Sequence, residues 1–298
     1  MKHLTILLLT AFQAFSCGWI NGTNIDGVIY ETNSYAPYQA HPNDLQESLI
    51  TTPLNKLEYF EDNFSKKERE SEISKAVFSM LKGDYKTAIS SLLLQEKQIK
   101  DSYEIATNLG TAYELNGDNE KALKWIEEGL KRNPDSHFGT EWLHVKILET
   151  KLRLQENPDY LKQNHILHEE DLYNYMANKS LLYQLRERML FVKPKDSIVA
   201  DLLYLYALSN AKTNGFLEYS LEALELSRSY GYANTNELES TIKTYQSIID
   251  YAQFMQLMKI LGIIGVFIVL LFIAYKKKLF FLTQKEKEAY MASKKKQD

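Results

Sequence analysis

The chain has 298 residues, 45% of them hydrophobic, with only 12 Gly and 6 Pro, a balance that excludes a disordered or collagen-like protein and favours long helices. Its formal net charge of −4 is uneven: the last 23 residues hold 8 Lys against 3 acids, which leaves −9 for everything before them. An acidic body excludes nucleic acid as the main ligand, because phosphate binding needs clustered Lys and Arg, and a single cysteine, Cys17, excludes an intramolecular disulfide framework or a cysteine-based zinc site.

The chain opens with Met1-Lys2-His3 and the apolar run Leu4 to Phe15, a positive start followed by a stretch too short to cross a bilayer. That is the layout of a secretory signal, assigned to residues 1–16. Ala14 and Ser16 are small at the −3 and −1 positions of a cut before Cys17. A cut there resembles a bacterial lipoprotein signal, which implies lipidation of Cys17, although leucine is missing at −3 and bulky Phe15 stands at −2. A plain signal peptide with an incidental thiol is the other reading. Residues 17–64, rich in Asn, Tyr, Pro and Thr, are expected to form an extended linker, with Tyr30, Tyr35 and Tyr38 the residues able to make a strand or cover the first helices.

Helical periodicity begins near Ser65 and continues to about Asp250. Its clearest passage is Tyr103 to Ser136, YEIATNLGTAYELNGDNEKALKWIEEGLKRNPDS. Leu109, Tyr113, Leu123, Ile126 and Leu130 fall on inward faces of two helices, small Gly110 and Ala122 allow close approach, Gly117-Asp118 make the turn, and Pro134 ends the unit. These residues resemble the tetratricopeptide repeat (TPR) of a bacterial, membrane-anchored type, with Ile126 at the family's aromatic position and Gly129 in place of alanine. Thirty-four residues earlier, Gly83-Asp84-Tyr85, Ala88 and Leu92 repeat the turn, the crossing residue and the core position. Thirty-four residues later Leu143 matches Leu109, but His144 stands at the glycine position and no clear second helix follows. Pro158 and Pro194 bracket an irregular stretch; Ser197 to Asn214 and Phe216 to Tyr230 read as another pair, with Ala223 as the crossing residue, and Asn234 to Asp250 as a closing helix. The predicted fold is therefore all-α, a TPR-like α-solenoid of antiparallel helix pairs over residues 65–250 followed by one C-terminal transmembrane helix.

In this family the first helices line a concave groove that receives a peptide or partner helix. The resemblance transfers that role to Glu104, Thr107, Asn108, Thr111 and Glu114, and in the next unit to Glu141, Trp142, Val145 and Leu148. Asn108 offers a two-way amide and Trp142 a rigid aromatic anchor, core packing being the other reading of Trp142. Thr107 and Thr111 stand where a subset of the family has Lys and Asn that clamp a peptide carboxylate, so that mode is not expected here.

Ile260 to Tyr275 reads ILGIIGVFIVLLFIAY without a charge. With Leu257 and Met258 it makes a 257–275 segment that rises roughly 28 Å as a helix, enough to cross the hydrocarbon core. Lys276-Lys277-Lys278 follow at once; excess lysine beside a span marks its cytoplasmic side, so the body is expected outside the cytoplasm and 276–298 to be a basic cytoplasmic tail.

Sites of chemistry are not evident. His165, His168 and Glu169 in HILHEED complete no metal motif, and there is no P-loop, dinucleotide-binding glycine pattern or nucleophile elbow. Arg186, Arg188, Lys193 and Lys195 read as a solvated basic face. No enzyme activity, cofactor or small-molecule substrate is expected. The expected function is a membrane-anchored scaffold for a protein or peptide partner, with a sensory input module acting through the single span as the alternative, and a hydrolase lacking a recognised motif as a third class.

Overall fold

The structure, a computed structural model, describes residues 19–33, 71–173, 175–213, 215–277 and 283–294; the 1–16 segment expected to be a secretory signal, Cys17 and most of the 17–64 segment lie outside them. Short polar side chains start the helices. Ser71, Asp84, Ser102 and Asp118 each accept a hydrogen bond from the backbone N–H three residues on, and so cap α1 (Glu72–Leu81), α2 (Tyr85–Gln98), α3 (Tyr103–Leu115) and α4 (Asn119–Arg132).

Three-residue turns join α1 to α2 and α3 to α4, and the two turns match atom for atom. The Gly83 N–H donates to Met80 O and the Asp84 N–H to Ser79 O, both at 2.9 Å; 34 residues later the Gly117 N–H donates to Glu114 O and the Asp118 N–H to Tyr113 O, again at 2.9 Å. Gly83 and Gly117 sit at φ +81° and +85°, where a side chain would be strained, which is why glycine ends both first helices. The 34-residue register read from the sequence is thus present in hydrogen bonds.

Between α3 and α4 the backbones are close. A Cβ built on Gly110 would lie 2.4 Å from Ile126 Cδ1, and one on Gly129 would lie 2.5 Å from Thr107 Cγ2. Ala76, Met80, Leu92, Ile105 and Leu109 form one small core across α1, α2 and α3, while Ala122, Ile126 and Leu148 join α4 to α5 (Glu141–Glu156). α5 packs on α4 and, more sparsely, on α6 (Tyr175–Arg188), with no helix folding back on it directly after its end among the described residues. Pro158 follows that end, and two short 3-10 turns, Tyr160–Lys162 and Glu169–Tyr173, lead to α6.

The largest core surrounds α7 (Ser197–Lys212), whose run Ile198 to Ala207 is buried without a break. α6, α8 (Leu217–Tyr230), the 3-10 turns and the first part of α9 (Thr235–Lys276) cover it, with Leu238, Tyr245 and Ile249 supplied by α9. Ala223 is fully buried, as its reading as a crossing residue requires.

Residues 19–33 are not the extended linker expected of that segment. β1 (Trp19–Thr23) and β2 (Ile29–Asn33) pair antiparallel as a two-stranded hairpin. Gly22 lies where a Cβ would overlap the Phe216 ring, and the Thr23 N–H donates to Glu218 Oε2 at 3.0 Å, so the hairpin packs on the start of α8 rather than on the first helices. Packing against a helix supplies the support that a lone two-stranded hairpin lacks.

The chain divides into two compact units, 1–249 and 250–298. In the second, α9 carries an 18-residue window of mean hydropathy 2.8, none of it buried; among the described residues this is the one helix long and apolar enough to cross a membrane. The basic tail contains a further helix, α10 (Gln284–Lys294), started by a reciprocal cap in which the Glu286 N–H donates to Thr283 Oγ1 and the Thr283 N–H to Glu286 Oε2, each at 3.2 Å.

Candidate functional site

A cavity of about 210 Å³ lies among α1, α3, α5 and α6. Helical spacing brings Asn108, Thr111 and Glu114 of α3 to it together, three of the residues assigned to a groove from the sequence. The other assigned residues are elsewhere. Glu104 is exposed, Thr107 is buried against Gly129, Trp142 packs against the large core, Val145 and Leu148 belong to the core joining α4 and α5, and Glu141 is fully buried behind the cavity.

Of the three that meet there, Asn108 and Thr111 partly satisfy themselves on their own helix. The Asn108 Nδ2 donates to Glu104 O at 2.8 Å and Thr111 Oγ1 to Thr107 O at 3.2 Å. Glu114 is not the free partner-facing carboxylate of the sequence reading. Its Oε1 meets Arg188 Nη1 at 2.5 Å and Lys151 Nζ at 2.7 Å, and its Oε2 meets His144 Nε2 at 2.7 Å and Arg188 Nη2 at 3.3 Å. Its side chain is 4% exposed.

The network extends two residues further, to Glu141 and His137. His144 Nδ1 lies 3.1 Å from Glu141 Oε1, and Glu141 Oε2 bonds His137 Nδ1. With a carboxylate at each ring nitrogen, His144 is satisfied only as an imidazolium, which donates from both. Burial works against that charge, yet Glu114 and Glu141 outweigh it and raise the His144 pKa above the usual histidine value. Burial also opposes ionised Glu114 and Glu141. Arg188, Lys151 and His144 nevertheless hold Glu114 well below the usual carboxylate range, and hydrogen bonds from His137 and His144 bring Glu141 down to about 2. His137 and the following Phe138 sit at φ +49° and +58°, a left-handed backbone that costs on the order of 1–3 kcal/mol per residue and that the bond to Glu141 helps to hold. Glu114 and Glu141 are thus held as fixed negative charges by the cations around them.

Arg188 is the main residue missed from the sequence. It is 7% exposed and not part of a solvated face; 74 residues separate it from Glu114, and only its place three after Leu185 and seven after Leu181, both fully buried, marked it as inward-facing. His144 has a related explanation. At the position where the preceding unit has Gly110, the side chain that prevents close helix approach becomes the centre of the ion network.

The HILHEED segment is not one polar helical face either. His165 turns inward, with Nδ1 2.8 Å from Asp201 Oδ1, while the Ile166 N–H donates to Asp201 Oδ2 at 2.8 Å, so this segment ties the chain before α6 to α7. The ring stacks on Tyr204 at 5.6 Å. Among the described residues no three metal-binding side chains converge.

No protein-family model matches the chain, and no curated protein matches it.

Proposed function

We propose that this protein is a membrane-anchored scaffold of the tetratricopeptide-repeat type, non-enzymatic, whose helical body holds a protein or peptide partner outside the cytoplasm. The observation that carries the reading is the recurrence, 34 residues apart, of the same helix-ending hydrogen bonds at Gly83-Asp84 and Gly117-Asp118, because a repeated helix pair buries its apolar face only by stacking and leaves a face of first helices for binding. The apolar part of α9 supports the anchor, and the lysines that follow it support a cytoplasmic tail. The partner docks on the face of α3 that carries Asn108 and Thr111, both half-buried at the cavity.

A photo-crosslinking amino acid placed at Thr111, and for comparison at Leu94 of α2, which is 55% exposed, tests this in intact membranes. A discrete protein adduct from position 111 and none from position 94 is expected. The same adducts from both positions would remove the groove from the account.

A further inference from the structure

α6 carries polar atoms that its surroundings do not use. Ser180 Oγ, Gln184 Nε2 and Arg188 Nε are buried and have no hydrogen-bond partner among the described residues. They recur every four residues, on one face of the helix. Gln184 and Arg188, 2% and 7% exposed, also line the cavity beside Glu114. A buried donor without an acceptor gives up its hydration with nothing in return, the more so when the group is charged, so two of them on one wall of a cavity call for an acceptor that enters it. Arg188 Nε can only donate. The other two guanidinium nitrogens already hold Glu114.

Charge selects the class of acceptor. Four basic side chains, His137, His144, Lys151 and Arg188, gather at the site against three carboxylates, Glu114, Glu141 and Glu187. With both histidines charged, one negative charge balances them, whereas a dianion would meet Glu114 and Glu187 with charge to spare. The opposite wall is apolar, with Met80, Leu115, Leu190 and Phe191. The volume lies below the 300–1,000 Å³ usual for drug-sized ligands.

We propose that this cavity binds a small organic monocarboxylate, its oxygens accepting from Arg188 Nε and Gln184 Nε2 and its apolar body lying against Met80, Leu115 and Phe191. The site needs the cavity only and stands whether or not the protein is a scaffold. It would make the body responsive to a small acid.

Calorimetric titration of the purified full-length chain in detergent micelles with benzoate and with hexanoate tests the site, using benzyl alcohol and hexanol as uncharged controls and matched blank micelles as the background. Saturable binding of a carboxylate, with its alcohol at least tenfold weaker, is expected. Gln184→Leu should weaken it tenfold or more, as loss of a hydrogen bond to a charged group does, and Gln184→Glu should abolish it. Because the Gln184 donor has no partner in the fold, the Gln184→Leu chain should melt no lower than the parent, which separates loss of binding from loss of folding. Absence of saturable carboxylate binding, equal binding of acid and alcohol, or binding unchanged by Gln184→Glu would each overturn the proposal.

Discussion

Glu114 answers three cations at once, Arg188, Lys151 and His144, and they are buried with it or nearly so. Removing its charge leaves them facing one another in a medium that solvates them poorly. Breaking a buried pair from one side typically costs 3–5 kcal/mol, so Glu114→Gln should lower stability by about 3 kcal/mol or more, read as a lower urea midpoint of the helical circular dichroism signal. A loss under about 1 kcal/mol would mean that water relieves the cations.

His144 supplies a pH signature with a definite sign. Its folded-state pKa is raised, with burial opposing and Glu114 and Glu141 prevailing, so its contribution is complete below the unfolded value of about 6.5 and is lost as pH rises through the folded value. Comparison of the parent with His144→Gln should show the full stability advantage at pH 6 and a smaller one at pH 9. An advantage that grows with pH would contradict an imidazolium between two carboxylates.

The α3/α4 pair depends on an absent side chain. Ile126 is fully buried, so it cannot swing away from a methyl group added 2.4 Å from its Cδ1. Gly110→Ala should therefore cost about 1–3 kcal/mol through overpacking, although alanine is the better helix former; thermal unfolding distinguishes the two, since a gain in Tm would show that the helices have room to part. Much of this pair was legible in the sequence, because capping residues, the turn glycine and the small crossing positions act within a few residues of one another. The end of the pairing after α5 was legible as well, in His144 and Pro158, but the task given to His144 was not.

The proposed anchoring rests on the apolar run of α9, the one helix among the described residues long and apolar enough to cross a membrane. Val266→Lys with Leu270→Lys places two charges in a window that has none, at about 2.5–3.5 kcal/mol each near the centre of a spanning helix. The parent chain should stay with membranes through alkaline extraction, and the doubly substituted chain should be released. Retention of both would locate the attachment elsewhere in the chain.

Sequence alone determined the helical class, the positions of the main helix pairs, the 34-residue register and the segment that, among the described residues, is long and apolar enough to span a bilayer. Each rests on interactions that are local along the chain: N-caps three residues from their donors, apolar spacing on one helix, hydropathy summed over one window. Tertiary structure alone decided that the 19–33 segment folds as a hairpin on α8, some 195 residues away at its Thr23–Glu218 bond. It also decided that Glu114 is held inside by Arg188, 74 residues on, and that Gln184 and Arg188 share a cavity with α1 and α3. Charges and donors have no periodicity that reveals their partners. Which of them meet is set by how the helices stack, and burial then makes each meeting decisive, because an ion or donor left alone there costs more than an exposed one.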